Sequence, residues 1–435
     1  MMMKDELLLR QRWKVKDRAM NMIRTFHPVG QGAFYSEEFF SYEGDCVFRV
    51  VYDCGSLEYC GLQRNSDGTP LKRKDIKESV KQAFPDGHGV DILFVSHLDD
   101  DHVNLIPCLK PFQNHQIRRV ILPLLSAEER YVLTGYHLSR SRKGRISDAL
   151  NSIINNPEEY FGKNTKVTFV RSVGEERFYR EDNQQNRVYR LEELPTIVPS
   201  LVEIVISGQA AGLQKDWLFV PYNHKPERYS DLKKELARAL GKGFQIKNLK
   251  DPVFVIENLK DLRRCYKALP DGINRNSMVL YSGPTSKDVC PLSCVEVMEY
   301  GYGAWFCCAS MIGCCFACGL WRVLPFSLRV NSTFLRRPGC LYMGDASVDD
   351  VQPMKNFKQY VNCIGTVQMP HHGSLDSFGS GRLPLDGRVC IATYGERNSF
   401  GHPAFAVKRA VTQKCGLWVD VTETDESRFR VKYTV

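Results

Sequence analysis

The run Val90-Asp91-Ile92-Leu93-Phe94-Val95-Ser96 constrains the fold of this chain more than any other stretch. A short, almost uninterrupted apolar run suits a strand buried on both faces, as in a sheet covered by helices. Ser96-His97-Leu98-Asp99-Asp100-Asp101-His102 follows at once, so His97, Asp99, Asp101 and His102 all fall at a predicted strand end. A strand end followed by a turn can fold such a cluster around a cation, and imidazole with carboxylate suits zinc, manganese or iron. The competing reading is an acidic surface loop with helix-capping aspartates. The two flanking histidines and the buried strand favour the metal.

Other predicted strands also end in polar groups. Leu341-Tyr342-Met343 leads to Gly344-Asp345, where glycine permits close backbone approach and the carboxylate can bridge two cations. Cys363–Met369 leads to Pro370-His371-His372-Gly373-Ser374. Adjacent histidines point different ways, so one can ligate while the other holds substrate or supports a ligand. Val389–Thr393 leads to Arg397-Asn398-Ser399-Phe400-Gly401-His402-Pro403. A helix predicted over Pro403–Thr412 places His402 at its N-terminus, where backbone N–H groups favour an anion, and Arg397 adds a fork for phosphate. His402 also has the plain reading of a capping-region residue.

Between these ends, Thr25–Val29, Cys46–Tyr52, Val120–Leu124, Val167–Val170, Leu201–Ile206, Trp217–Val220 and Met278–Tyr281 read as strands, and 73–84 and Asp231–Leu240 as helices. Strands mixed with helices at both ends of the chain imply an α/β sandwich with function on its loops. Hydrophobic residues at 43% and charged residues at 25% argue against wholesale disorder. No fixed-period repeat points to a solenoid. A net charge of +9 favours a polyanionic partner such as nucleic acid, against the blander reading of a solvated basic surface.

The first 22 residues are charged throughout, lack an apolar signal core and read as a helical extension outside the core. A cytoplasmic protein with reduced thiols is therefore expected, despite 16 cysteines. Residues 301–321 contain no charge and approach the length of a membrane span. They lie between strands predicted to share one sheet, which a single span would separate, so a buried hairpin or partner-binding insert is expected and no stable membrane insertion. Cys315-x-x-Cys318 has metal-ligand spacing but no second pair, which favours apolar packing.

The order of these motifs resembles the metallo-β-lactamase superfamily, and within it the hydrolase domain of ComEC-type DNA-uptake (competence) proteins. His27-Pro28-Val29-Gly30-Gln31-Gly32 resembles that group's opening strand-turn, Asp53-Cys54-Gly55 its D-x-G turn, and Asn276-Ser277-Met278-Val279-Leu280 its later strand. Gly344-Asp345, His371-His372-Gly373-Ser374 and Gly401-His402-Pro403 match in order. The resemblance implies an αββα sandwich over 23–435 after the 1–22 extension, with insertions at about 125–270 and 290–338. It further implies two divalent cations, zinc or manganese. His97 and Asp99 would hold one; Asp101, His102 and one of His371 or His372 the other; Asp345 would bridge. Asp101 would orient water or ligate, with His402 and Arg397 on phosphate oxygens or the leaving group.

Asp99 stands where the superfamily has a second histidine, which makes the site richer in oxygen and manganese a rival to zinc. His224 is the one candidate, by order, for the superfamily's isolated middle histidine. The membrane channel of the DNA-uptake proteins is absent from this chain. The expected activity is phosphodiester hydrolysis, with nucleic acid as the expected substrate, as a phosphodiesterase or nuclease. The alternatives are hydrolysis of a small ester, thioester or lactam, or a part in a multiprotein assembly such as phage defence, bound through the insertions.

Overall fold

Apolar and β-branched runs crowd both faces of most strands, which is what a sheet buried between layers requires. In chain order the strands are β1 (Asn21–Phe26), β2 (Phe34–Phe40), β3 (Cys46–Cys54), β4 (Val90–Phe94), β5 (Ile117–Pro123), β6 (Lys166–Val170), β7 (Val188–Arg190), β8 (Ile197–Val198) and β9 (Glu203–Ile206). They continue as β10 (Trp217–Tyr222), β11 (Val279–Pro284), β12 (Cys294–Glu299), β13 (Gly339–Tyr342), β14 (Ile364–Gln368), β15 (Val389–Thr393), β16 (Leu417–Val421) and β17 (Phe429–Thr434). The computed structural model describes residues 21–41, 43–58, 73–109, 117–141, 146–173, 188–206, 216–224, 229–267, 277–285, 294–299 and 337–434.

The protein is mixed α/β, with two mixed sheets. One has nine strands in the order β12-β17-β1-β2-β3-β4-β5-β6-β8; the other has eight, β16-β15-β14-β13-β11-β10-β9-β7. In the first, β3 to β6 run parallel. In the second, β13 to β16 run parallel. Met22, Phe26, Tyr52 and Phe94 of the first sheet share one buried cluster with Trp217, Leu280, Tyr342 and Ile391 of the second. Helix α1 (Arg73–Gln82) packs Ile76 and Val80 on Val51, Leu93 and Val120, across the other face of the first sheet.

Among the other helices are α2 (Asp100–Val103), α3 (Ala127–Arg140), α4 (Tyr229–Leu240), α5 (Leu259–Lys267) and α6 (Phe405–Gln413). Val407 and Val411 of α6 pack on Leu341, Val367 and Cys390 of the second sheet. The stretch 125–270 supplies β6 to β10 to the sheets, and α3, α4 and α5 meet around Val132, Leu138, Leu236 and Leu262. Among the described residues no helix is long and apolar enough to cross a membrane. The segment 301–321 and residues 1–20 lie outside the described residues.

Each strand predicted from an apolar run overlaps an observed one, and Val389–Thr393 is reproduced to the residue, whereas β2, β7, β8, β12, β16 and β17 were not predicted. Several boundaries differ, and two show why. β1 begins at Asn21 and buries Met22 completely, so the charged extension ends earlier than its composition predicts. α6 begins at Phe405 rather than Pro403, because Ala404 keeps an extended backbone as the cap residue.

A buried polar network locks the two sheets together. Arg24 of β1 donates to Glu37 of β2 at 2.8 Å, and both side chains are almost wholly excluded from solvent. Glu37 also accepts from Ser282 Oγ at 2.5 Å and from Tyr342 OH at 2.9 Å, both on the second sheet. Trp217 Nε1 donates to Ser282 Oγ at 2.8 Å. Removing one partner of a buried pair strands the other charge. Glu37→Leu is therefore expected to lower unfolding free energy by about 3–5 kcal/mol. Urea denaturation should show Arg24→Met/Glu37→Leu recovering part of that loss; a double variant no more stable than Glu37→Leu would contradict this account.

Candidate metal centre

The candidate residues gather because parallel neighbouring strands deliver their carboxyl ends to one edge of the two sheets. Asp53 ends β3, His97 follows β4, Asp345 follows β13, and His371 and His372 follow β14. Asp99 caps α2, its side chain accepting from the Asp100 N–H. One helical turn then buries Asp101 and His102 and leaves Asp100 half-buried. The capping reading thus holds for Asp99, and Asp101 and His102 are candidate ligands. Gly55 lets it approach, since a Cβ there would meet the Asp101 carbonyl carbon and the His102 nitrogen at 2.4 Å.

Three non-glycine residues here, Asp53, His371 and His372, adopt left-handed backbone with φ of 56°, 46° and 57°. Such conformations cost about 1–3 kcal/mol each and persist where surrounding contacts enforce them.

Each buried histidine is aimed by a partner on one ring nitrogen. His102 Nδ1 lies 2.8 Å from Asp53 Oδ2, leaving Nε2 at 3.3 Å from Asp345 Oδ1. His372 Nδ1 donates to the Thr393 carbonyl at 2.7 Å, and Nε2 faces Asp101 Oδ2 at 3.4 Å. His97 Nδ1 meets the hydroxyls of Ser96 and Ser277 at 3.0 Å each, and Nε2 lies 3.8 Å from Asp345 Oδ2. The carboxylate–histidine–metal arrangement uses this orientation, a partner on one nitrogen and a free lone pair on the other.

What the free atoms face is decisive. His97 Nε2, His102 Nε2 and Asp345 Oδ1 are buried and make no hydrogen bond. Unsatisfied buried polar atoms are costly, so three that converge fit a cation. The ligand atoms of His97, His102 and Asp345 lie within 4.8 Å of one another, and so do those of Asp101, His102 and His372. The donor set of imidazoles and carboxylates suits zinc or manganese.

Charge explains the protonation. Burial alone would lower His102, but Asp345, Asp53 and Asp101 around it raise it well above the usual imidazole range. Burial and the neighbouring His102 charge hold His97 low. Burial would raise Asp101, yet His102 and the His372 hydrogen bond bring it down to about 2. Asp345 is held well below the usual carboxylate range against burial by His371 and His102.

Other expected residues sit differently. His371 is half-buried, with Nε2 at 3.6 Å from Asp345 Oδ2. Asp99 turns toward α3, with Oδ1 3.7 Å from His137 Nδ1 and Oδ2 3.5 Å from Arg140. Its ligand oxygen groups with Asp100 and His137 rather than with His97. His402 lies against His371, ring centroids 5.0 Å apart, with Nδ1 buried and without a hydrogen bond. It precedes α6 by several residues, so it is not at the helix N-terminus. Burial and the His371 and His372 charges lower it to about 4, so it is neutral at pH 7.

Arg397 is exposed and acts on Glu423 instead of lining the cavity. His224 stacks on Tyr222 and joins no ligand group among the described residues. A cavity of about 420 Å3 opens onto the cluster, lined by Asp99, Asp101, Asp345 and His371 together with Arg140 and Phe400.

Sequence reasoning gave no role to Asp53, Ser96, Ser277, Gln368 or Thr393, which hold the site from behind. Gln368 Oε1 accepts from the Met343 and Gly344 N–H groups at 2.7 Å, fixing the turn that presents Asp345. Asp53 carried a signal as the aspartate of a D-x-G turn, and Ser96 and Ser277 stood inside quoted motifs, but nothing marked Gln368 or Thr393 as supporting residues. His137 and Arg140 were missed with all of α3, although Ser126-x-x-Glu129 forms a capping box at its start. No protein-family model matches this chain, and no curated protein matches it.

Two outcomes are expected. Asp53→Ala should weaken zinc or manganese binding by about 10–100-fold, because His102 loses its orienting acceptor. Unchanged affinity by calorimetric titration would contradict the role given to Asp53. Because the carboxylates around His102 raise its affinity for a proton, a cation there competes with that proton, so affinity should rise with pH and binding should release protons. Calorimetry in buffers of different ionisation enthalpy measures that proton; zero release would refute the linkage.

Proposed function

We propose that this chain is a metal-dependent hydrolase of the metallo-β-lactamase fold, of the αββα type, acting on phosphodiesters as a phosphodiesterase or nuclease. The observation that carries the reading is the convergence of His97 Nε2, His102 Nε2 and Asp345 Oδ1, buried and without hydrogen bonds. Two facing sheets with helices on the outer sides support the fold assignment. So does the order of the motifs shared with ComEC-type hydrolase domains.

His97, His102 and Asp345 would hold one divalent cation, and Asp101 with His372 would help to hold the other, whereas Asp99 faces His137 and Arg140. His372 is preferred over His371 because it is buried and its Nδ1 is already engaged by the Thr393 carbonyl. When bound, two such cations supply Lewis acidity toward the phosphoryl oxygens and acidify the attacking water. The protein's own part is positional. Asp53 and Thr393 fix the imidazole orientations, and buried walls exclude bulk water, which strengthens every charge interaction inside.

Asp101, ionised with a pKa near 2, acts as a hydrogen-bond acceptor over the whole physiological range. His402, neutral at pH 7, offers a hydrogen bond to substrate rather than a positive charge. Positive charge at the cavity comes from Arg140, whose side chain is 51% exposed there, and this favours an anionic substrate over a neutral ester. The net charge of +9 supports a nucleic-acid partner. Cys46, Cys54, Cys108, Cys340 and Cys390 are free thiols, which supports a reducing, cytoplasmic setting.

The test is a purified-protein screen on DNA, RNA, bis(p-nitrophenyl) phosphate and a thioester, with added manganese or zinc. Cation-dependent phosphodiester cleavage is expected, and Asp345→Ala should reduce it by on the order of 10³-fold. Undiminished turnover in Asp345→Ala, or turnover of the thioester alone, would sink the phosphodiesterase reading.

A further inference from the structure

The helix that sequence reasoning missed brings a histidine to the cavity. We propose that His137 of α3 is a ligand of a cation held with Asp99 and Asp100 at the cavity mouth, so that part of the metal centre comes from the 125–270 stretch. The inference rests on the metal reading above, and its test can fail separately.

The argument begins with the ring. His137 is buried, its side chain 4% exposed, and its Nε2 donates to the Leu98 carbonyl at 2.8 Å. A carbonyl only accepts, so Nε2 carries the proton, and in the neutral ring Nδ1 carries the lone pair. That lone pair faces Asp99 Oδ1 at 3.7 Å, beyond hydrogen-bonding distance. Two ligands each about 2.1 Å from a tetrahedral cation lie roughly 3.4 Å apart, so the separation is close to that of two atoms sharing one ion. One oxygen each from Asp99 and Asp100, with one His137 nitrogen, lie within 4.8 Å of one another.

The arrangement is also built rather than incidental. The Leu98 carbonyl belongs to the same loop as His97 and Asp99, so the bond from His137 fixes α3 against the ligand loop at the point where the carboxylates emerge. It is the support a ligating imidazole normally has on its other nitrogen. Arg140, one turn on, lies 3.5 Å from Asp99 Oδ2, while Oδ1, which accepts the Asp100 N–H at 3.0 Å, faces His137 with a second lone pair to offer. Asp99, His137, Arg140 and Asp345 line one cavity, so a cation here would border the same space as the deeper group. Oxygen-rich and partly open, the group suits manganese or zinc with water completing its shell. The rival reading is a protonated His137 that pairs with Asp99 and binds nothing.

The experiment is a titration of the full chain with Mn2+ alone and with Zn2+ alone, read by calorimetry and, for Mn2+, by electron paramagnetic resonance. The variants are His137→Gln, which keeps a donor for the Leu98 carbonyl, and Asp100→Asn, an isosteric change at a half-buried position. Each is expected to weaken one class of bound cation by about 10–100-fold while the class held by His102 and Asp345 stays. Loss of an imidazole nitrogen coupling from the Mn2+ spectrum of His137→Gln would support ligation directly. Both variants binding as the unaltered chain does would overturn the proposal and leave His137 as an ion-pair partner. Failure of the unaltered chain to bind any cation would overturn the proposed function as well. Should His137→Gln not fold, Asp100→Asn decides.

Discussion

Negative charge confined in a dry space is the constraint on which this structure depends. Asp53, Asp101 and Asp345 are buried around His102, and isolated buried carboxylates are tolerated only when paired or bound to a cation. Protons on the imidazoles supply the balance in the protein itself: His102 and His372 are raised, while Asp101 and Asp345 are lowered. The same groups that balance one another by protonation are those whose free atoms converge. A divalent cation would take over the balance by replacing protons, so metal binding and proton release are two views of one equilibrium.

The supporting shell is as extensive as the ligand set. Asp53 is wholly buried and receives the Ser96 N–H at 2.7 Å, the Ser96 hydroxyl at 2.6 Å and His102 Nδ1 at 2.8 Å. Backbone bonds then tie the strand ends together: the Met278 N–H donates to the Ser96 carbonyl at 2.7 Å between the sheets, and the His371 N–H to the Gly344 carbonyl at 2.9 Å within the second. Tyr35 and Thr393 hydroxyls meet at 2.6 Å between the sheets. With Arg24 and Glu37 deeper in the same interface, these contacts fix how the sheets sit relative to each other. That in turn fixes the distance between His102 from one sheet and Asp345 and His372 from the other.

The middle of the chain joins this scheme through α3. Its capping box at Ser126 and Glu129 starts the helix, its apolar face packs against α5, and its C-terminal end delivers His137 and Arg140 to the cavity. Arg140 lies over Tyr136, its guanidinium 5.2 Å from the ring centroid, which limits its rotamers and keeps the charge at the opening. A stretch that contributes strands to both sheets thereby also shapes what the cavity can accept.

The residues of the candidate site were largely legible in the sequence because ligand chemistry uses few residue types, and strand ends advertise themselves by apolar runs breaking into His, Asp and Gly. His97, Asp101, His102, Asp345 and His372 were found on that ground, and the strand β15 was placed to the residue. The direction in which a side chain points was not legible, because it is set by residues far away in the chain. Asp99 has the spacing of a ligand to His97, yet the turn of α2 and the arrival of α3 aim it at His137. Arg397 has the right charge in the right motif, yet its loop carries it to the exterior beside Glu423, while Arg140, hundreds of residues earlier, takes the place at the cavity. Composition and local pattern determine which groups are available and which segments become strands; only the packing of one sheet on the other decides which groups meet, since burial and orientation belong to the folded contacts and not to any stretch of sequence.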